Sequence, residues 1–149
     1  MKQLDTIHKY YSNDENVAIN ELVVAQKQYD EQERLLAELN NYQHQYKMTF
    51  SKDASAGINI NNLQNYNRFM NKLHSIILTQ RENVDEKHKQ LMSALDKWQL
   101  IKMKKSGIDK LRDRRIAQEI KSSLQQEQKQ SDELVIQRYL RKEPHNDRS

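Results

Sequence analysis

Residues 51–62 read SKDASAGININN and form the one turn-rich stretch of the sequence. Serine, aspartate, asparagine and glycine favour helix caps and turns over helix interiors. Gly57 suits a left-handed backbone conformation, and Asn61 or Asn62 suits the N-cap of a following helix. The stretch therefore marks the point at which the chain reverses.

Helix breakers are almost absent on either side of this turn. The only other glycine is Gly107, and the one proline is Pro144. We therefore expect the 149-residue chain to form a single domain, with helices at about residues 3–50 and 59–142 and a turn at about residues 51–58.

The composition excludes several classes of protein. Two glycines and one proline cannot supply the turns of a β-sandwich, a barrel or a βαβ array, and the lack of cysteine excludes disulfides and cysteine-bound metals. The start, MKQLDTIHKYYSNDEN, has no apolar signal core, and no apolar run is long enough for a transmembrane helix. With 31% charged residues, the chain suits an exposed helical rod or disorder.

Periodicity favours the rod, because apolar residues recur at steps of three and four along the second helix. The positions are Leu63, Tyr66, Met70, Leu73, Ile77, Gln80, Val84, Lys87, Leu91, Ala94, Trp98, Ile101, Lys105 and Ile108. Only Gln80, Lys87 and Lys105 are not apolar. This is the spacing of a left-handed coiled coil, and it places Trp98 in the core in preference to a partner contact.

The first helix has two candidate seams. One runs through Leu22, Ala25, Tyr29, Gln32, Leu36, Leu39, Gln43 and Tyr46, and the other through Leu4, Ile7, Tyr11, Asp14, Ala18, Glu21, Ala25, Gln28, Gln32, Leu35, Leu39, Tyr42 and Tyr46. Leu35 and Leu36 lie about 100° apart on a helix, so both cannot be central. The sequence leaves the choice of seam open.

A short turn between two heptad helices gives an antiparallel pair. The expected fold is all-α: a long antiparallel two-helix coiled-coil hairpin with an extended C-terminal helix. Leu4 is expected to face the neighbourhood of Gly107, and about 30 residues of the second helix are expected to extend beyond the first.

Extra apolar residues flank both seams near the turn. The predicted register places Tyr42 opposite Phe69 and Leu35 opposite Ile76. Two flanking stripes cannot all be buried between two helices, so we expect an exposed apolar patch, which is typical of a partner site. The alternative is a rotated hairpin that buries the two first-helix residues and exposes Leu36.

Basic residues concentrate late in the sequence: residues 1–50 carry a net charge of −3 and residues 101–149 of +5. The cluster consists of Lys102, Lys104, Lys105, Lys110, Arg112, Arg114 and Arg115. The projecting helix also carries Ile116 and Ile120, so it suits insertion into a ring or groove with acidic walls. A solvated helix face is the alternative. Membrane-surface binding is less favoured, because the basic residues do not share one face.

The sequence contains no enzyme motif. It has no phosphate-binding glycine loop, no G-x-S-x-G and no H-E-x-x-H, and its five histidines are scattered. A two-helix rod also offers no concave interior that excludes water. We therefore expect no catalysis, no cofactor and no metal. Since neither an aromatic-rich strand nor a glycine-rich loop accompanies the basic cluster, we also expect no nucleic-acid module.

Short motifs flank the turn in a particular order. They are Leu39, Tyr42 and Tyr46 before it and Asn65, Tyr66, Phe69 and Leu73 after it, then ALDKWQLIKMKK around Trp98, LRDRR at residues 111–115, and Asp132, Glu133, Leu134, Arg138, Arg141 and Lys142. This combination resembles the FliJ family of flagellar type III export proteins over about residues 35–142. The resemblance is weak over the first 30 residues.

The resemblance implies a non-catalytic stalk, similar to the central stalk of rotary ATPases, at the cytoplasmic face of the inner membrane. Its implied partners are the hexameric flagellar export ATPase and its regulator, the large membrane protein of the export gate, and export chaperones. The stalk of a virulence-type secretion system and a generic coiled-coil scaffold or homodimer are the alternatives with the same architecture.

Two sets of site residues follow from the resemblance. The expected export-gate contact, which coincides with the flanking stripes, consists of Leu35, Leu39, Tyr42, Tyr46, Phe69, Leu73, Ile76 and Gln80. The end with both termini is implied to enter the ATPase ring, and the expected contacts there are Lys104, Lys105, Arg112, Arg114, Arg115, Ile116 and Ile120.

Overall fold

Two long helices make up the computed structural model, which describes residues 2–146 and the side chains of residues 2–141. Helix α1 spans Lys2–Ser55 and helix α2 spans Ile60–Asn146, and no strand occurs in this part of the chain. Helix α1 continues past its predicted end near residue 50, so the turn is shorter than predicted.

The chain divides into two compact units. The first, here the hairpin unit, contains residues 13–102 and includes the turn. The second, here the terminal unit, combines the start of α1, up to residue 12, with α2 from residue 103 onward. In each unit the segments of α1 and α2 pack antiparallel, and in the terminal unit α2 continues far beyond its short α1 partner. The predicted all-α antiparallel hairpin with an extended C-terminal helix is therefore confirmed.

The predicted seam of α2 forms the core of the hairpin unit. Leu73 and Ile77 are 3% and 1% exposed, and Leu91 is also buried. The remaining seam positions between Tyr66 and Ile101 are buried or half-buried. The heptad pattern is thereby confirmed from Tyr66 to Ile101, including the core position of the half-buried Trp98, whereas the predicted first position, Leu63, is exposed.

Each candidate seam of α1 describes a different part of the helix. In the hairpin unit, the seam from Leu22 to Tyr46 is half-buried at every position. In the terminal unit, the other seam holds in part, because Leu4 is buried and Tyr11 half-buried but Ile7 between them is exposed. The rotated hairpin is wrong, because Leu36 is half-buried and Tyr42 is exposed.

Two polar residues of the α2 seam, Gln80 and Lys87, form hydrogen bonds across the helix pair. Gln80, which is 9% exposed, donates from Nε2 to the main-chain oxygen and to Oε1 of Gln32, each at 2.9 Å. Asn83 donates to Gln80 Oε1 at 3.3 Å. Lys87 donates to Gln28 Oε1 at 3.4 Å. These bonds offset the cost of placing polar groups in the seam.

The turn contains the predicted left-handed glycine. Gly57 has φ 95°, and its N–H donates to the Ala54 carbonyl at the end of α1. The N-cap of α2 is Asn59, whose Oδ1 accepts from the N–H of Asn62 at 2.8 Å. The prediction of Asn61 or Asn62 as the cap is wrong, because α2 begins just after Asn59.

The two glycines give a matched test of this backbone. Gly57→Ala is expected to destabilise the protein by about 1 kcal/mol, because an L-residue is strained at positive φ. Gly107→Ala is expected to stabilise it by about 0.5–1 kcal/mol, because Gly107 lies within α2 and a Cβ there meets no atom within 4 Å. Urea denaturation followed by circular dichroism measures both. Shifts of the same sign would contradict this account.

The predicted register holds near the turn and fails further away. Tyr42 contacts Phe69, as predicted. In the terminal unit, where Leu4 was expected near Gly107, Asp5 Oδ1 instead lies 3.0 Å from Arg112 Nε. The predicted register would have placed Asp5 opposite residue 106, so the prediction is off by six residues there, which is more than one and a half helical turns.

Candidate functional site

The predicted gate-contact residues, here the tip patch, fall into three environments in the hairpin unit. Leu73 and Gln80 are buried between the helices. The half-buried members are Leu35, Leu39, Tyr46 and Phe69. Tyr42 and Ile76 are 50% and 45% exposed. The exposed part of the patch therefore contains fewer residues than the predicted set. The buried members lie beneath it, between the helices.

Aromatic rings connect the two helices at this patch. Phe69 of α2 lies between two tyrosines of α1, with ring centroids 4.4 Å from Tyr46 and 6.2 Å from Tyr42. The series continues toward the turn, where Tyr46 stacks on Tyr66 and Tyr66 stacks on Phe50 at 3.6 Å. Sequence reasoning missed Phe50. Continuing the confirmed α1 seam by one step of four from Tyr46 would have found it.

A shallow groove of about 500 Å³ runs along the α1 side of the patch. Leu35, Leu39 and Tyr42 supply its apolar surface, and Glu38 and Gln45 are among its polar lining residues. An apolar surface with polar groups placed around it suits a protein segment that buries a few apolar side chains.

Charged side chains on the preceding turns of α1 pair with one another. Arg34 donates to Glu31 and Glu38, and the hydrogen bond from Arg34 lowers the pKa of Glu31. Tyr29 donates to Glu33, and this hydrogen bond raises the pKa of Tyr29. The pairs of Arg34 are local to α1 and exposed, so they describe a solvated helix face, whereas Tyr29 is half-buried in the seam.

The predicted ATPase-ring contacts, here the basic arm, all lie on α2 in the terminal unit. Lys105 and Arg112 are half-buried, whereas Lys104, Arg114 and Arg115 are exposed. Ile116 and Ile120 are exposed as well, and so is every side chain from residue 113 to residue 141. The arm therefore presents cations and apolar groups on the same single helix.

A second groove of the hairpin unit was not predicted. It has a volume of about 820 Å³, and Val17, Val24, Ala25 and Ala94 line it together with polar residues. The groove forms because small alanines occupy seam positions of both helices, and a shorter side chain leaves more of the seam open. Alanine at seam positions was the sequence signal that could have indicated it.

Two kinds of site are absent from the described residues. Within residues 2–141, no three His, Asp or Glu side chains form a group that could hold a metal ion. Neither α1 nor α2, over its described length, has a stretch long and apolar enough to cross a membrane.

These features define a two-helix coiled-coil protein with exposed apolar and basic surfaces. A family model described as flagellar FliJ protein matches residues 1–144, and the chain belongs to this family. The match includes the first 30 residues, where the resemblance was weak. The Flagellar FliJ protein of Escherichia coli strain K12 is 25% identical over 133 residues, covering 80% of this chain and 90% of that protein. No solved structure matches. Family membership supports a role related to flagellar export.

Proposed function

We propose that the protein is a non-catalytic stalk of the flagellar type III export apparatus, which couples the export ATPase ring to the membrane export gate at the cytoplasmic face of the inner membrane. FliJ family membership supports the setting. The exposure of Tyr42 and Ile76, one from each helix, beside the buried Leu73 carries the proposal. Large apolar groups held in water on a rigid base are typical of a partner site.

The tip patch is the surface that we assign to the gate protein. Its exposed and half-buried members come from both helices, so only the folded hairpin assembles it. The buried Gln80 contributes through its hydrogen bonds to Gln32, which hold the helices together at the edge of the patch.

The basic arm is the surface that we assign to the ATPase ring and its regulator. Its exposed arginines and isoleucines suit a lining with carboxylates and apolar pockets. Export chaperones are the further partners that we propose from the family.

The gate assignment predicts the effect of a double substitution. Tyr42→Ala with Ile76→Ala is expected to weaken binding to a soluble fragment of the gate protein by about tenfold or more, because both exposed anchors are lost. Helicity is expected to be unchanged, since neither side chain is buried. Isothermal titration calorimetry measures the affinity, and circular dichroism the helicity.

Val23→Ala with Leu100→Ala is the matched control, because it also removes one exposed apolar side chain from each helix of the hairpin unit. This variant is expected to bind like the parent protein. Undiminished binding by the tip-patch variant, or an equal loss in the control, would remove the proposed site.

A further inference from the structure

The turn end of the hairpin unit carries a cup of about 480 Å³, here the tip cup. The end of α1, the turn and the start of α2 form its wall, and Phe50, Asp53, Asn62, Asn65 and Tyr66 are among the residues that line it. The tip cup is distinct from the tip patch, although Tyr46 belongs to both.

One side of the tip cup is aromatic. Phe50 stacks on Tyr66 with an interplanar angle of 13°, and Tyr66 is nearly parallel to Tyr46 at 5.7 Å. Phe50 and Tyr66 are only half-buried, so part of each ring remains accessible. Because Phe50 and Tyr66 cover one face of each other, the face of Phe50 directed away from Tyr66 is the one that can attract a cation through the negative potential above the ring.

The charge of the tip cup has one sign. Asp53 is the only charged residue among those lining it, and it is exposed in the last turns of α1. The side-chain amides of Asn62 and Asn65 add neutral acceptors. The C-terminal end of a helix also carries partial negative charge, which favours a cation.

The tip cup is less suited to binding an anion than a cation. Helix N-termini attract anions through free N–H groups. At the start of α2, however, the N–H of Asn62 donates to Asn59 Oδ1, and the N–H of Leu63 donates to the Asn59 carbonyl at 3.2 Å. Fewer donors therefore remain, and the Asp53 carboxylate repels negative charge.

We propose that the tip cup binds the guanidinium group of an arginine side chain presented by a partner protein. A guanidinium stacks flat on an aromatic ring while donating two hydrogen bonds to a carboxylate, which the compact ammonium of lysine cannot do. Phe50 supplies the ring and Asp53 the carboxylate. This site goes beyond the proposed function, because it depends on neither the gate nor the ATPase ring.

The test is an NMR titration of the full-length, isotope-labelled protein with acetyl-Gly-Arg-Gly-amide. Saturable shifts are expected in the amides of residues 50–66, with a dissociation constant on the order of 10 mM, because only one ion pair and one stacking contact are formed. The same peptide with citrulline, which is isosteric with arginine but uncharged, is expected to cause no saturable shift.

Substitutions test whether Asp53 and Phe50 bind the arginine side chain. Asp53→Asn is expected to weaken binding about fivefold and Phe50→Leu about threefold. Asp96→Asn, which removes an exposed carboxylate from α2 elsewhere in the hairpin unit, is expected to have no effect. Thermal unfolding checks that each variant folds. If Phe50→Leu does not fold, the affinity of Asp53→Asn for the arginine peptide tests the proposal by itself.

Three results would overturn the proposal: equal shifts with the citrulline peptide, unchanged affinity in Asp53→Asn, or no saturable shift with the arginine peptide. A stronger response of the same amides to acetyl-phosphoserine would also overturn it, because the site would then prefer an anion. None of these results bears on gate binding, so the failure of the two proposals can be told apart.

Discussion

Ile77→Ala will lower the free energy of unfolding by about 2–5 kcal/mol, the largest stability effect that we expect from one substitution. Ile77 is 1% exposed and lies in the seam between the helices. A two-helix pair has no second layer that can move inward, so the deleted methyl groups leave a cavity. Urea denaturation followed by circular dichroism measures the loss.

The neighbouring Leu78 gives the control for this substitution. It is 45% exposed, and Leu78→Ala is expected to change the stability by less than about 1 kcal/mol. If both alanine variants lost the same stability, the seam would not be the core of the hairpin unit.

Ending the chain after Arg112 will abolish stimulation of the export ATPase if the basic arm enters the ring. This truncation keeps Asp5 and His8 paired with Arg112 and Asp109 in the terminal unit. It removes residues 113–149, of which 113–141 are exposed throughout. The unfolding midpoint is therefore expected to stay nearly the same, while the rate of ATP hydrolysis falls to the level of the ATPase alone.

A charge-matched pair of variants tests the arm without shortening it. Arg114→Gln with Arg115→Gln is expected to reduce stimulation about tenfold, because both exposed cations lie on the arm. Lys47→Gln with Lys52→Gln removes the same charge from exposed positions in the hairpin unit and is expected to have little effect. Equal loss in both variants would indicate general electrostatic attraction, and full stimulation by the truncated chain would remove the ring contact.

The sequence predicted the α2 seam well because periodicity is a property of one helix. Residues such as Leu73 and Ile77 repeat at heptad spacing, and burial follows that spacing. The exposure of Tyr42 also followed from a geometric limit, since two helices cannot cover every flanking stripe. The choice between the seams of α1 could not be made, because it depends on which face α2 meets.

The position of the turn and the burial of individual residues could not be predicted from periodicity. Helix α1 continues to Ser55, and Asn59 is the N-cap of α2. The low helix propensities of Asp53 and its neighbours had instead favoured an earlier end of α1. Gln80 belongs to the predicted gate contact, yet it is buried, because Gln32 lies opposite and satisfies its amide. Only the pairing of the two helices reveals such a partner.

The hydrogen bonds between Gln80 and Gln32 have a mechanical consequence. If one helix slid along the other by a heptad, Gln80 would face Ala25 or Leu39, and its amide would lose the side-chain acceptor Oε1 of Gln32. A pair of leucines in the seam would not oppose this sliding, because each leucine would still face an apolar residue afterwards. This pair of glutamines therefore opposes sliding of α1 along α2 within the hairpin unit.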